Sequence, residues 1–133
     1  MNHYIFIPQA QSCGGSYTSE SGSINSPNNP SNYPNYPNYA ECNYVINLDG
    51  GPDITSSIAI HFNSFSTEGS YDNLTYGIGV NPGENMIGSF DGAVVPGDFV
   101  LNSDQVWFRF VSDIDTVSTG FSLSWSRPGE NML

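Results

Sequence analysis

Glu68 and Asp72 stand four residues apart in the run Ser66-Thr67-Glu68-Gly69-Ser70-Tyr71-Asp72, and a third acid, Asp113, follows Ser112 far downstream. Carboxylates held this close repel one another, so a cation, a hydrogen-bond donor or water must settle them. Glu68, Asp72 and Asp113 are expected to converge on a calcium ion, a hard cation that takes six to eight oxygens. Asp115 is a spare acid, either a further ligand or a solvated turn residue. Paired acids also serve glycosidases, and Glu68 with Asp113 is the pair to weigh. A small domain without a deep cleft disfavours that use. His3 and His61 are no better as catalytic bases, and no nucleophile elbow, HExxH or phosphate loop is present.

Such acids need rigid holders, and the flanking segments alternate as strands do. Ser57 to Phe62 and Tyr71 to Val80 bracket the first two acids, and Val106, Phe108 and Phe110 form one face of a strong strand ahead of Asp113. Further strands are expected at Ser21–Ser26, Cys42–Leu48, Met86–Phe90, Asp98–Leu101 and Gly120–Ser126, with Trp107 and Trp125 as core or sheet-face residues. Tyr4 to Ile7 could add an edge strand. About eight short strands, with turns at 49–53 and 81–83, predict an all-β protein whose two antiparallel sheets pack face to face. Residues 1–12 read as an arm, 13–126 as one domain and 127–133 as a tail.

The chain of 133 residues carries 13 acids, two arginines and no lysine, a net charge of −11. That charge argues against nucleic acid and against anionic lipid, and favours cations and basic partners. No apolar run is long enough to span a membrane. Cys13 and Cys42 fit one disulfide and an oxidising compartment, the alternative being a reduced, buried pair. Four prolines among residues 26–39 forbid helix there. The tyrosines of that stretch either pack over the end of the sandwich or form a sugar-binding patch of Tyr33, Tyr36 and Tyr39. Asn73-Leu74-Thr75 is an N-glycosylation sequon.

In order and interval, several landmarks together resemble the CUB domain family. They are Cys13-Gly14-Gly15, Gly22-Ser23-Ile24, Ser26-Pro27-Asn28, Tyr33-Pro34, Cys42, the Phe62/Phe65 segment, Tyr71-Asp72-x-Leu74, Phe110-Val111-Ser112-Asp113 and Gly120-Phe121. The resemblance implies an antiparallel β-sandwich of jelly-roll type and a non-catalytic, secreted or cell-surface binding module. It implies Ca²⁺ held at Glu68, Asp72 and Asp113, and a protein ligand that docks a lysine or arginine beside these acids. The alternatives are a carbohydrate-binding module that uses the tyrosines, or a structural domain of a homo-oligomer or larger multidomain protein. The family's second disulfide is absent, with Ser70 and Asp91 near its two positions. The tyrosine the family places near its calcium has no clean match, Tyr17 and Glu20 lying nearby in sequence.

Overall fold

The computed structural model describes residues 13–29, 35–48 and 56–128. The Tyr4–Ile7 edge strand, Tyr33, the 49–53 turn and the tail beyond residue 128 lie outside the described residues. Among the described residues there is no helix. Nine strands run β1 (Gly14–Tyr17), β2 (Gly22–Asn25), β3 (Glu41–Asn47), β4 (Ile58–Ser66), β5 (Asn73–Ile78), β6 (Met86–Phe90), β7 (Phe99–Leu101), β8 (Gln105–Val111) and β9 (Gly120–Ser126). One sheet is ordered β1-β3-β8-β5-β6 and the other β2-β9-β4-β7. The result is the expected all-β sandwich of jelly-roll type.

The alternation read from the sequence is the alternation that packs. Cys42, Tyr44 and Ile46 of β3 and Val106, Phe108 and Phe110 of β8 face inward, against Ile58, Ile60 and Phe62 of β4 and Phe121, Leu123 and Trp125 of β9. Fully burying side chains of this size stabilises by about 1.5–3 kcal/mol each, before conformational entropy is set against it. Phe62 and Phe65 lie three residues apart, which in a regular strand would put them on opposite faces. Both are buried because the β4–β9 register slips between Phe62 and Ser64. That β-bulge turns Phe65 inward, and its re-aiming of the strand sets the direction in which the chain leaves for Thr67 and Glu68.

One pairing departs from the antiparallel expectation. β1 runs parallel to β3, with Gly14 opposite Asn43. Gly14 has φ +95, and a Cβ there would lie 2.2 Å from the Asn43 carbonyl oxygen, so only glycine fits. Cys13 and Cys42 are bonded at the mouth of this pair. A cross-link of sequence separation 29 contributes roughly 3–4 kcal/mol in the chain-entropy account. Arg127, assigned by sequence to the tail, is instead held fast. It donates to Glu20 Oε1 at 2.9 Å and to the Ser57 carbonyl at 3.4 Å, and pairs with buried Asp104.

A candidate cation site on the sandwich loops

Three loops build the site, each leaving a strand whose register is fixed. The loop after β4 carries Thr67, Glu68 and Asp72, the loop after β8 carries Asp113 and Asp115, and residues 35–40 lead into β3. Ser112 ties the last two together. Its amide donates to the Ala40 carbonyl (3.0 Å), its hydroxyl donates to the Pro37 carbonyl (2.7 Å), and the Ala40 amide donates to that hydroxyl (2.8 Å). The Tyr39 amide donates to the Asp113 carbonyl at 2.9 Å. Thr67 fixes the first loop: its hydroxyl donates to the Asp72 carbonyl (3.0 Å) and accepts from the Gly92 amide (3.0 Å). Tyr39, Ser70 and Thr116, one residue in each loop, have φ of 60, 73 and 65. Non-glycine residues in this region are strained, and such strain tends to gather where loops are held for a function.

The carboxylates divide into two kinds. One oxygen each from Glu68, Asp113 and Asp115 lies within 4.8 Å of the others. Glu68 and Asp113 are half-buried and Asp115 is exposed. Asp72 is outside that trio, 0% exposed, and serves as its internal brace. Its Oδ1 accepts the Asp113 amide at 2.9 Å, and its Oδ2 accepts the Tyr36 hydroxyl at 2.6 Å. The same Tyr36 hydroxyl accepts the Glu68 amide at 3.1 Å. The geometry therefore draws Asp115 into the cluster, while Asp72 touches it through Asp113.

The contact of Tyr36 with Asp72 and Glu68 is what sequence reasoning missed. Of the two uses expected for the tyrosines of this stretch, packing or sugar contact, Tyr36 takes the first: it is 1% exposed and packs edge-on against Phe110 at 4.8 Å. A buried ring offers no face to a sugar. Tyr39 is 43% exposed, which leaves a single described tyrosine of that patch at the surface. The tyrosine hydroxyl beside the acids is that of Tyr36, while Tyr17 packs on Trp125 at 5.2 Å. Nothing in the repeated Tyr-Pro pairs singles out Tyr36 by sequence alone.

Burial, reinforced by the charges of Asp113 and Asp72, holds the Glu68 carboxyl above the usual carboxylate range. Burial raises Asp72 as well, and the bonds from Tyr36 and from the Asp113 amide offset this only in part. Burial and the neighbouring Asp72 push the Tyr36 hydroxyl upward, so it stays a proton donor. Among the described residues, ion pairs join Arg109 to Glu41 and Arg127 to Glu20 and Asp104, and the His61 ring is hydrogen-bonded to Asp98. None reaches the trio. Glu68 Oε1 is buried and accepts no hydrogen bond. An orphaned anionic oxygen beside two further carboxylates fits a divalent cation that takes oxygen ligands.

Near the places where the resemblance implies a second disulfide, the Ser70 amide donates to Asp91 Oδ2 at 2.5 Å. His61 and both tryptophans are accounted for by surface and structural roles. His61 is exposed against Asp98, Trp107 Nε1 donates to the Glu84 carbonyl at 2.7 Å, and Trp125 Nε1 donates to the Ser19 carbonyl at 3.0 Å.

Among the described residues, the chain is a nine-strand sandwich with an acid cluster on its loops. The chain belongs to the CUB domain family, whose model matches residues 13–125. Members are typically extracellular modules of larger proteins that mediate protein interactions, and they are generally non-catalytic. The chain is 34% identical to fibropellin-1 of Strongylocentrotus purpuratus over 90% of its length, and 36% identical to cubilin of Homo sapiens over 92%. It spans only 11% of the first protein and 3% of the second. Among solved structures it is similar to the MASP-1 CUB2 domain bound to Ca²⁺, with 28% identity and a TM-score of 0.69 over 86% of this chain and 98% of that one. The CUB1-EGF-CUB2 segment of human MASP-1/3 matches at 27% identity and a TM-score of 0.71, over 86% of this chain and 42% of that one.

Proposed function

We propose that this chain is a non-catalytic, extracellular binding module that takes one Ca²⁺ on its loops and docks a basic side chain of a protein partner beside it. The observation that carries this reading is the buried, unbonded Glu68 Oε1 within a carboxylate trio that no arginine of the chain answers. Glu68, Asp113 and Asp115 would hold the ion. Asp72 would brace them through the Asp113 amide and offer its own remaining lone pairs. When bound, calcium supplies the positive charge that cancels most of the mutual repulsion and lets the loops share one arrangement.

The chain's own residues then set what can dock. Several carboxylates around one divalent ion leave net negative charge, which attracts an ammonium or guanidinium group. Tyr71 and Ile114, 61% and 62% exposed, sit in the two acid-bearing loops and offer apolar surface to the aliphatic stem of a lysine or arginine. The net charge of −11 speeds encounter with a basic partner and makes the association salt-sensitive. Because the chain spans a small share of its relatives, it would work as one unit of a larger secreted or cell-surface protein.

The test is thermal unfolding with and without calcium. At a hundredfold excess over Kd the ion should stabilise by about 2.7 kcal/mol. Asp113→Ala should abolish that response. An unchanged melting temperature in millimolar calcium would overturn the metal claim.

A further inference from the structure

We infer that Asn73 carries an N-linked glycan whose first sugars lie in a groove on the outer face of the β1-β3-β8-β5-β6 sheet, covering Met86. In the whole sequence, Asn73-Leu74-Thr75 is the one Asn-x-Ser/Thr triplet free of proline, since Asn29-Pro30-Ser31 is barred by its middle residue. The strand pleat does the sorting. Leu74 is fully buried in the core, while Asn73 and Thr75, two apart, share the opposite face and are half-buried. Both line a groove of about 370 Å³ with Met86, Trp107, Arg109 and Val111.

Two features of that groove are unfinished. Met86 is 60% exposed on edge strand β6. The guanidinium of Arg109 donates through Nη2 to Glu41 Oε2 at 2.8 Å, but its Nε–H is buried and has no acceptor. A buried donor left unpaired costs stability. An N-acetylated sugar attached at Asn73 brings acceptor oxygens to Arg109 and an apolar ring face to Met86.

The fold also fixes when the sugar is added. β5 is hydrogen-bonded on both sides, to β8 and to β6, so the folded sequon cannot bend into a transferase. β8 begins about 32 residues after Asn73. Synthesis of that stretch takes roughly 2–6 s, during which the sequon is still unpaired by β8. The donor is a lipid-linked oligosaccharide pyrophosphate. The bond between its sugar C1 and the pyrophosphate oxygen breaks, a bond from C1 to Asn73 Nδ2 forms, the amide loses one proton, and the lipid pyrophosphate leaves with the electron pair.

This inference rests on the extracellular placing proposed above. Its test therefore imposes the route: the full chain is secreted from mammalian cells behind a cleavable leader. Enzymatic deglycosylation in heavy-oxygen water should label Asn73. Thr75→Ala should remove the label and Thr75→Ser keep it. Met86 should form sulfoxide in dilute peroxide at least about threefold more slowly in the glycosylated chain than after deglycosylation. An unlabelled Asn73 in the secreted chain overturns the inference, and equal Met86 oxidation rates overturn the seating of the sugar. Calcium titration of the same material reads the binding-module proposal separately, so the failure of one is distinguishable from the failure of the other.

Discussion

Asp104 and Asp72 are both buried aspartates, and the chain answers them differently. Asp104 faces Arg127, which also bonds Glu20 and the Ser57 carbonyl. A guanidinium offers five donors in a fixed fork, so one side chain ties three segments together and gives buried Asp104 a counter-charge. Asp72 receives only neutral donors, the Tyr36 hydroxyl and the Asp113 amide. Among the described residues, no ion pair reaches Asp72, Glu68, Asp113 or Asp115. With two arginines and no lysine in the sequence, and both arginines bonded elsewhere, the first cluster is a finished structural joint and the second is open to a cation from outside.

The largest effect that would sharpen this contrast is expected at the closed joint. Arg127→Met leaves Asp104 buried with no counter-charge, and breaking a buried pair in this way costs about 3–5 kcal/mol. Urea unfolding of the variant should show that loss, while the calcium-induced shift in melting temperature survives in full. A variant that loses the calcium response together with stability would show that the two clusters are coupled rather than separate.

A smaller effect is expected at the open cluster. Tyr36→Phe keeps the ring packed on Phe110 but strips a donor from Asp72 and an acceptor from the Glu68 amide. Leaving buried polar groups unpaired costs about 1–3 kcal/mol. Unlike Arg127→Met, this change should also weaken calcium binding, because it loosens the brace that positions Asp113 and the start of the Glu68 loop. Calcium titration followed by melting would show it, and an unaltered affinity would reduce Tyr36 to a packing role.

How far the sequence revealed these two clusters depended on how locally they are built. β6 and β9 fall at the residues where alternation places them, Met86–Phe90 and Gly120–Ser126; β9 buries Phe121, Leu123 and Trp125 on one face, while edge strand β6 half-buries only Gly88 and Phe90. β1 escaped notice because Gly-Gly-Ser-Tyr has no apolar alternation and exists as a strand only by pairing with β3. Trp107, on the outward face of β8, is nonetheless fully buried, and its indole is bonded to Glu84 in the turn before β6. The acids on loops leaving strong strands were legible; what joins them was not. Tyr36 meets Asp72 across 36 residues, out of a proline-rich stretch whose two Tyr-Pro pairs look alike in sequence. Arg127 likewise reaches back 107 residues to Glu20, a contact that no local pattern announces.

The smallest effect is one of pH, and its sign distinguishes an open cluster from a closed one. Glu68 and Asp72 have folded-state pKa values raised above their ordinary ones, chiefly by burial. The folded chain then holds those protons more tightly than the unfolded chain does. Without metal, the contribution of these two groups to stability should be largest below the ordinary carboxylate range and fall as pH rises through it to the raised folded values, then level off. Glu68→Gln removes one repelling charge, so the metal-free variant should melt higher than the parent at neutral pH and lose that advantage in acid. Calcium bound to the ionised acids, as proposed, should invert the trend: the calcium-induced shift should grow over the interval in which this contribution declines. Melting curves across pH, with chelator and with calcium, would give two series that diverge as pH rises. Parallel series would mean that Glu68 and Asp72 carry no charge linked to the ion, and the open cluster would then be as closed as the one around Arg127.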